Sequence, residues 1–178
     1  MICEWCETEL PRAIKSGRSR RFCSARCRQA ACRARKAATA SAGLSEGRWT
    51  RACGKRPVTV TGRAASSTDP STWSTFAEVQ ASSAGDGFGV MLGGGHLGCH
   101  DLDHALEDGV LKPWARSVLD GITEPVLFVE VSVSGDGLHV FVEAPEGPGR
   151  KRQVGDGGHE FYSQGRFIRT TLRKFDMT

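Results

Sequence analysis

The chain has 178 residues, of which 39% are hydrophobic and 25% charged, with a net charge of +4; that length suits one domain plus a small module. No apolar run approaches the ~20 residues that span a bilayer, and no secretory signal opens the sequence, so membrane and secreted classes are set aside and a cytoplasmic location is expected. Seven cysteines in such a chain point to thiols or metal ligands rather than disulfides.

Charge is unevenly placed. The stretch from Met1 to Ala40 holds ten Lys/Arg and three acids, net +7, which leaves −3 for the remainder. A basic head on a mildly acidic body suggests a polyanionic partner for the head, against the plainer reading of a solvated basic surface. The head opens on Cys3-x-x-Cys6, and Cys23-x-x-x-Cys27 follows after sixteen residues. Two close pairs across such a gap can close a tetrahedral four-cysteine zinc site. So short a segment buries too little apolar surface to fold alone, and a metal would supply its stability. Phe22-Cys23-Ser24-x-x-Cys27-Arg28-Gln29 resembles the small treble-clef zinc fingers with an F-C-S signature. That resemblance starts a helix at the second pair, running to about Ala38, with Cys32 as a spare thiol or substitute ligand. Arg26, Arg28, Arg33, Arg35 and Lys36 would give this helix a basic, sequence-independent affinity for phosphates. Reduced, unliganded cysteines are the alternative.

The small, polar run Ala38 to Gly47 reads as a linker. The boundaries expected are 1–40 for the zinc module, 41–48 for the linker and 49–178 for the catalytic body. In the body, Lys55-Arg56-Pro57-Val58-Thr59-Val60 gives a basic entry and a short strand. Asp69-Pro70 with Trp73, Phe76 and Ala77 predicts a capped short helix, its aromatics in the core. Phe88 to Leu92 is an apolar strand, Gly93-Gly94-Gly95 a turn, and Leu97 re-enters towards Gly98-Cys99-His100-Asp101-Leu102-Asp103. Side chains two apart on a strand share a face, so Asp101 and Asp103 project together. Adjacent carboxylates repel unless a cation lies between them, and hard divalent ions favour such oxygen ligands. Two solvated acids at a strand end are the bland alternative. His96, His100 and His104 recur every four residues, but a turn and strand do not gather them on one face, which argues against a histidine metal site.

His104 to Leu119 predicts a helix interrupted near Gly109 and Pro113, burying Leu106, Val110, Leu111, Trp114 and Val118. Val129 to Val142 predicts a strand, a tight Gly135-Asp136-Gly137 turn and a second strand carrying His139. Pro145 to Gly158 reads as a Gly-rich charged loop. Gly158-His159-Glu160-Phe161-Tyr162 with Gly165-Arg166-Phe167-Ile168 predicts another hairpin. The fold class is therefore α+β, an antiparallel-rich sheet with helices on one face.

The order hydrophobic-D-L-D, then E-x-S-x-S-G-x-G-L-H, then E-x-Y-x-x-G-R-F resembles the bifunctional primase–polymerase branch of the archaeo-eukaryotic primase superfamily, as found in phage and plasmid replication proteins. Lys55-Arg56-Pro57 and Ser66 to Trp73 resemble that family's entry segment, and the similarity spans roughly Gly47 to Thr171. It implies a primase-like core with an RNA-recognition-motif-like sheet. It implies template-dependent nucleotidyl transfer in DNA replication, as DNA primase, DNA polymerase or both, by a two-metal carboxylate site. Asp101, Asp103 and Glu160 would hold Mg²⁺ or Mn²⁺, and Ser134, Gly135 and His139 the incoming triphosphate. Arg166 would meet phosphate or sugar, or else pair with Glu160; Lys55 or Arg56 would touch phosphate. The partners implied are a single-stranded DNA template, nucleoside triphosphates and a replicative helicase. Family members end the run after G-R-F with Thr-Gly, whereas Ile168-Arg169-Thr170-Thr171-Leu172 has no glycine there. That departure and the short remaining sequence leave a second reading, a zinc-finger nucleic-acid-binding replication accessory protein with an inactive catalytic body.

Overall fold

The computed structural model describes residues 2–10, 21–31, 44 and 47–176. The chain divides into two compact units, Met1–Thr39 and Ala40–Thr178.

In the first unit, Cys3 N–H donates to the Thr8 carbonyl at 2.8 Å and Ile2 bridges Glu9, closing a small knuckle. Arg21 clamps the Glu4 carboxylate through two nitrogens, at 2.6 and 2.7 Å. A helix covers residues 25–31, and Ser24 Oγ accepts the Cys27 N–H at 3.2 Å in its first turn. The expected helix beyond residue 31, Cys32, Arg33, Arg35 and Lys36 lie outside the described residues.

The second unit contains, in order, β1 (Trp49–Cys53), β2 (Arg56–Val58), α1 (Phe76–Ala81), β3 (Gly87–Leu92), β4 (Leu97–Asp103), β5 (Leu106–Glu107), β6 (Val110–Leu111), α2 (Pro113–Asp120), β7 (Val126–Val131), β8 (Leu138–Glu143), β9 (Arg150–Val154), β10 (Gly157–Tyr162) and β11 (Arg166–Thr170). Two antiparallel sheets carry it, a four-stranded one in the order β11-β3-β1-β2 and a five-stranded one in the order β7-β8-β4-β10-β9. This is an α+β arrangement of antiparallel sheets and few helices.

Alternation on the strands decides the faces. Leu138, Val140 and Val142 of β8 turn to one side with Leu102, Val129, Val131 and Phe161, and Ala115 and Val118 of α2 complete that core. The intervening residues, Asp101, His139, Glu130 and Glu160, must then face away from α2. On the smaller sheet, Trp49 and Phe88 pack ring to ring with Phe76 of α1, with centroids 4.6 to 6.1 Å apart.

Several local expectations are corrected. Residues 104–111 are not helical: His104 and Asp108 take left-handed φ angles of 58° and 51°, the short β5–β6 hairpin follows, and Val110 is exposed. Helix α2 starts at Pro113, whose missing N–H costs nothing at that position. The single helix expected near Asp69 is two elements. A 3-10 turn at Pro70–Thr72 is capped by Asp69, and α1 is capped by a reciprocal Thr75–Glu78 box. The expected loop 145–158 contains β9, an edge strand of exposed charged residues. Finally, β10 and β11 do not pair with each other; β10 joins β4 and β9, whereas β11 joins β3.

Candidate active site: one rung of acids and cations

β4 is central in the five-stranded sheet. Its registers place Asp101 opposite His139 on β8 and opposite Glu160 on β10. Glu130 on β7 faces His139, and Lys151 on β9 faces Glu160. Directly paired residues share a face, so one rung reads Glu130–His139–Asp101–Glu160–Lys151 across the whole sheet. Asp103 lies on the same face, two residues beyond Asp101.

Asp101 and His139 of this rung, with Asp103, line a cleft of about 1100 Å³ between the two sheets. The β8 turn contributes Ser132, Ser134 and Asp136, while Lys55, Ser66, Ser67, Arg166 and Arg169 come from the four-stranded side. Gly135 sits in the turn with φ +93° and open space where a side chain would be. At Gly137 a Cβ would meet Ser132 Oγ at 2.8 Å and the Leu102 carbonyl at 3.0 Å, so only glycine lets the turn lie against the end of β4. Ser134 Oγ donates to Asp136 Oδ1 at 2.5 Å, and His104 Nδ1 lies 2.7 Å from Asp136 Oδ2. These contacts hold the Asp136 carboxyl below its ordinary range.

The electrostatics follow from the crowding. Burial raises the Asp101 pKa; His139 pulls it back, and the charges of Asp103 and Glu160 push it up again. Burial alone would lower the His139 pKa, but the hydrogen bond from Nδ1 to Glu130 and the charges of Glu130, Asp101 and Asp103 outweigh it and leave it raised. His139 Nε2 lies 3.6 Å from Asp101 Oδ1. Glu160 is different. Lys151 Nζ holds its Oε1, and Tyr162 Oη donates to Oε2 at 2.6 Å. Arg166, stacked over the Tyr162 ring at 4.3 Å, reaches Oε2 at 3.6 Å. Hydrogen bonds from Lys151 and Tyr162 keep the Glu160 carboxyl low. Asp101, Asp103, His139, Ser134, Arg166 and Lys55 thus line one cleft, with Gly135 in the turn beside Ser134; Glu160 pairs in register with Asp101 but is not in that lining, and its oxygens are taken by cations and a phenol. Asp101 and Asp103 suit a divalent cation in kind, two carboxylates on one face with the Asp101 pKa raised by burial.

In the first unit the donor atoms of Cys3, Cys6, Cys23 and Cys27 all lie within 4.8 Å of one another, the one such group of three or more metal-ligand side chains among the described residues. Sulfur separations of 3.4 Å for Cys23–Cys27, 3.5 Å for Cys6–Cys23 and 3.7 Å for Cys27–Cys6 approach the edges of about 3.8 Å of a tetrahedron with zinc–sulfur bonds of ~2.3 Å. Burial opposes ionisation of Cys3, but backbone N–H groups from Cys23, Cys6 and Trp5 bring it down to about 6. Contacts with Cys27 and Cys6 push Cys23 up to about 12. Thiolates this close compete for ionisation, a conflict that a shared cation removes. The four thiols fit zinc.

Two features were not assigned from sequence. Glu130 is fully buried between Val129 and Val131; an acid on an otherwise apolar strand was the available signal. On the opposite face, His100 and His159 form a buried pair, with Nδ1 of His100 2.8 Å from Nε2 of His159. Arg152 donates to His159 Nδ1 at 3.0 and 3.1 Å.

A cleft with paired carboxylates, a histidine and surrounding cations defines a class of site suited to phosphate chemistry assisted by a divalent ion. The chain is 38% identical over 125 residues to a DNA primase-polymerase of Nitratiruptor phage NrS-1. The match covers 65% of this chain and 17% of that protein, so the chain spans about a sixth of its relative. No family model matches the chain. Among the described residues, no helix is long and apolar enough to cross a membrane.

Proposed function

We propose that the chain is a nucleotidyltransferase of the primase–polymerase kind, acting in DNA replication on a single-stranded DNA template with nucleoside triphosphates. The observation that carries this reading is the pair His139–Asp101 in register, with Asp103 beside it, in a cleft also lined by Lys55, Arg166 and Arg169. Similarity to a phage primase-polymerase over 65% of the chain supports it.

In this reading Asp101 and Asp103 hold Mg²⁺ or Mn²⁺, and Glu160 joins them on leaving Lys151 and Tyr162. The bound ions would neutralise triphosphate charge and polarise the reacting oxygens. The protein's own groups then divide the remaining work. His139, its pKa raised, would in its charged form donate Nε2–H to a phosphate oxygen while Nδ1–H stays on Glu130; the Ser134–Gly135 turn gives the triphosphate close access, and Arg166 and Lys55 bring compensating charge. The four-cysteine module, holding zinc, would grip the template through its Arg-rich surface.

A second reading has one specific observation behind it. The Glu160 carboxylate is occupied by Lys151, Tyr162 and Arg166, as in a structural ion-pair cluster. The chain would then be a zinc-finger accessory protein that binds nucleic acid without chemistry. Primer synthesis and extension with Mg²⁺ or Mn²⁺, run beside a template-binding assay, separates the two: incorporation supports the enzyme, and binding without incorporation supports the accessory.

A further inference from the structure

Glu130 is 0% exposed, one residue before the end of β7. A carboxylate buried this fully requires several donors. Its two oxygens serve different parts of the molecule. Oε1 lies 2.8 Å from His139 Nδ1. Oε2 accepts the backbone N–H groups of Thr171 at 3.0 Å and Leu172 at 2.7 Å, and also the Thr170 hydroxyl.

We infer that Glu130 is the positioning residue for His139: it keeps a proton on Nδ1, turns Nε2 towards Asp101, and ties the ring to the backbone turn that follows β11. For its catalytic consequence this rests on the nucleotidyl-transfer reading above; the tautomer and the tie do not.

Oε2 already accepts two backbone N–H groups and a hydroxyl, and Oε1 is aimed at the ring nitrogen as a further acceptor, so the hydrogen between Oε1 and the ring belongs to Nδ1. Nε2 is then the ring atom left to the cleft. The ring cannot easily swing away, because Phe141 packs against it edge-on with centroids 6.3 Å apart. The other end of the carboxylate explains why Glu130 itself stays in place. Leu172 adopts a left-handed φ of +50°, unusual for a side chain of its kind. It ends the run in which the resembling family places Thr-Gly, and the bond from its N–H to Glu130 stabilises a turn that glycine would make without strain. Beyond that turn, Val131 N–H donates to Arg173 O at 3.0 Å and Phe175 N–H to Val129 O at 2.9 Å, lacing the chain along β7. A single buried carboxylate thus joins the histidine of the cleft to the turn that links the two sheets. A merely structural acid would need only the turn.

The test uses the full chain and two readouts. Imidazole ¹⁵N NMR on wild type should show His139 protonated at Nδ1. Glu130→Gln, whose amide can present either N–H₂ or oxygen to the ring, should mix or reverse that pattern. Its nucleotide KM should rise about 10- to 100-fold, as for other residues that orient a ligand from behind, with a smaller effect on kcat. Thr170→Val removes one donor to Oε2 but leaves the bond to His139. It should lower Tm by about 2–4 °C while tautomer and KM stay as in wild type. An unprotonated Nδ1 in wild type would overturn the inference, and so would a Glu130→Gln protein that folds with unchanged tautomer and KM. Wild type that incorporates no nucleotide would instead sink the nucleotidyl-transfer reading, leaving the NMR result to judge Glu130 alone.

Discussion

His139 Nε2 stands 3.6 Å from Asp101 Oδ1, on the neighbouring strand and in direct register. The separation is too long for a hydrogen bond and leaves the histidine edge free for a ligand oxygen. His139→Ala should therefore act mainly on nucleotide use. We expect KM for nucleoside triphosphate to rise at least about 10-fold, with less change in kcat, in steady-state incorporation assays. A large fall in kcat at unchanged KM would assign His139 to the chemical step rather than to binding.

Lys151 is an exposed residue that holds a buried acid. Such a pair adds little stability, because water screens its exposed partner, yet it occupies one oxygen of Glu160. Lys151→Met should therefore tighten divalent binding, because it frees a carboxylate on the rung without disturbing the core. Mn²⁺ titration followed by electron paramagnetic resonance measures this. Weaker Mn²⁺ binding in Lys151→Met would remove Glu160 from the ligand set.

The cysteine cluster should contain one zinc ion per chain. Cys23→Ser should lose it and unfold the first unit, since metal binding and folding are coupled in segments of this size. Template affinity should fall and its salt dependence flatten, because fewer phosphates are contacted together. Zinc content with a salt series of template binding tests this. Zinc loss with unchanged affinity and slope would give the basic head a different partner.

Away from the cleft, burial takes the His100 pKa down to about 4, helped by His159, Arg150 and Arg152 and opposed by Glu124. The folded state therefore binds the proton less readily than the unfolded chain, whose histidine titrates near ~6.5. The contribution to stability is complete above that pH and is lost as pH falls towards 4. A depression of this size corresponds to at most about 3 kcal/mol. His100→Phe should flatten the loss of stability between pH 6.5 and 4 in urea unfolding; an unchanged slope would place the acid sensitivity elsewhere.

Much of the central architecture was legible because it rests on local alternation. β3 and β7 announce themselves as short apolar runs and β8 as the alternating arm after a tight turn, and the Asp101–Asp103 pair on β4 follows from the period of two. The edges were not legible. Arg150-Lys151-Arg152-Gln153-Val154 has no apolar alternation, and its strand is specified by pairing with β10. Leu106, Leu111 and Trp114 mimic a helical stripe, but the left-handed His104 and Asp108 turn the chain into a hairpin first. Local sequence also cannot say which strand a strand will pair with. β10 and β11 look like two arms of a hairpin and belong to different sheets. The role of Glu130 depends on backbone donors some forty residues away, at Thr171 and Leu172, which no window around it reveals.

The most direct test is nucleotide incorporation by wild type and Asp101→Asn on a primed single-stranded DNA template with Mg²⁺ or Mn²⁺. Asp101 is buried beside two other acids and its pKa is raised, so a neutral amide should leave Tm unchanged or higher in metal-free buffer. Incorporation should fall at least about 100-fold, because the amide no longer anchors a cation. Wild-type incorporation by a folded Asp101→Asn protein would contradict a carboxylate-held metal site in this cleft.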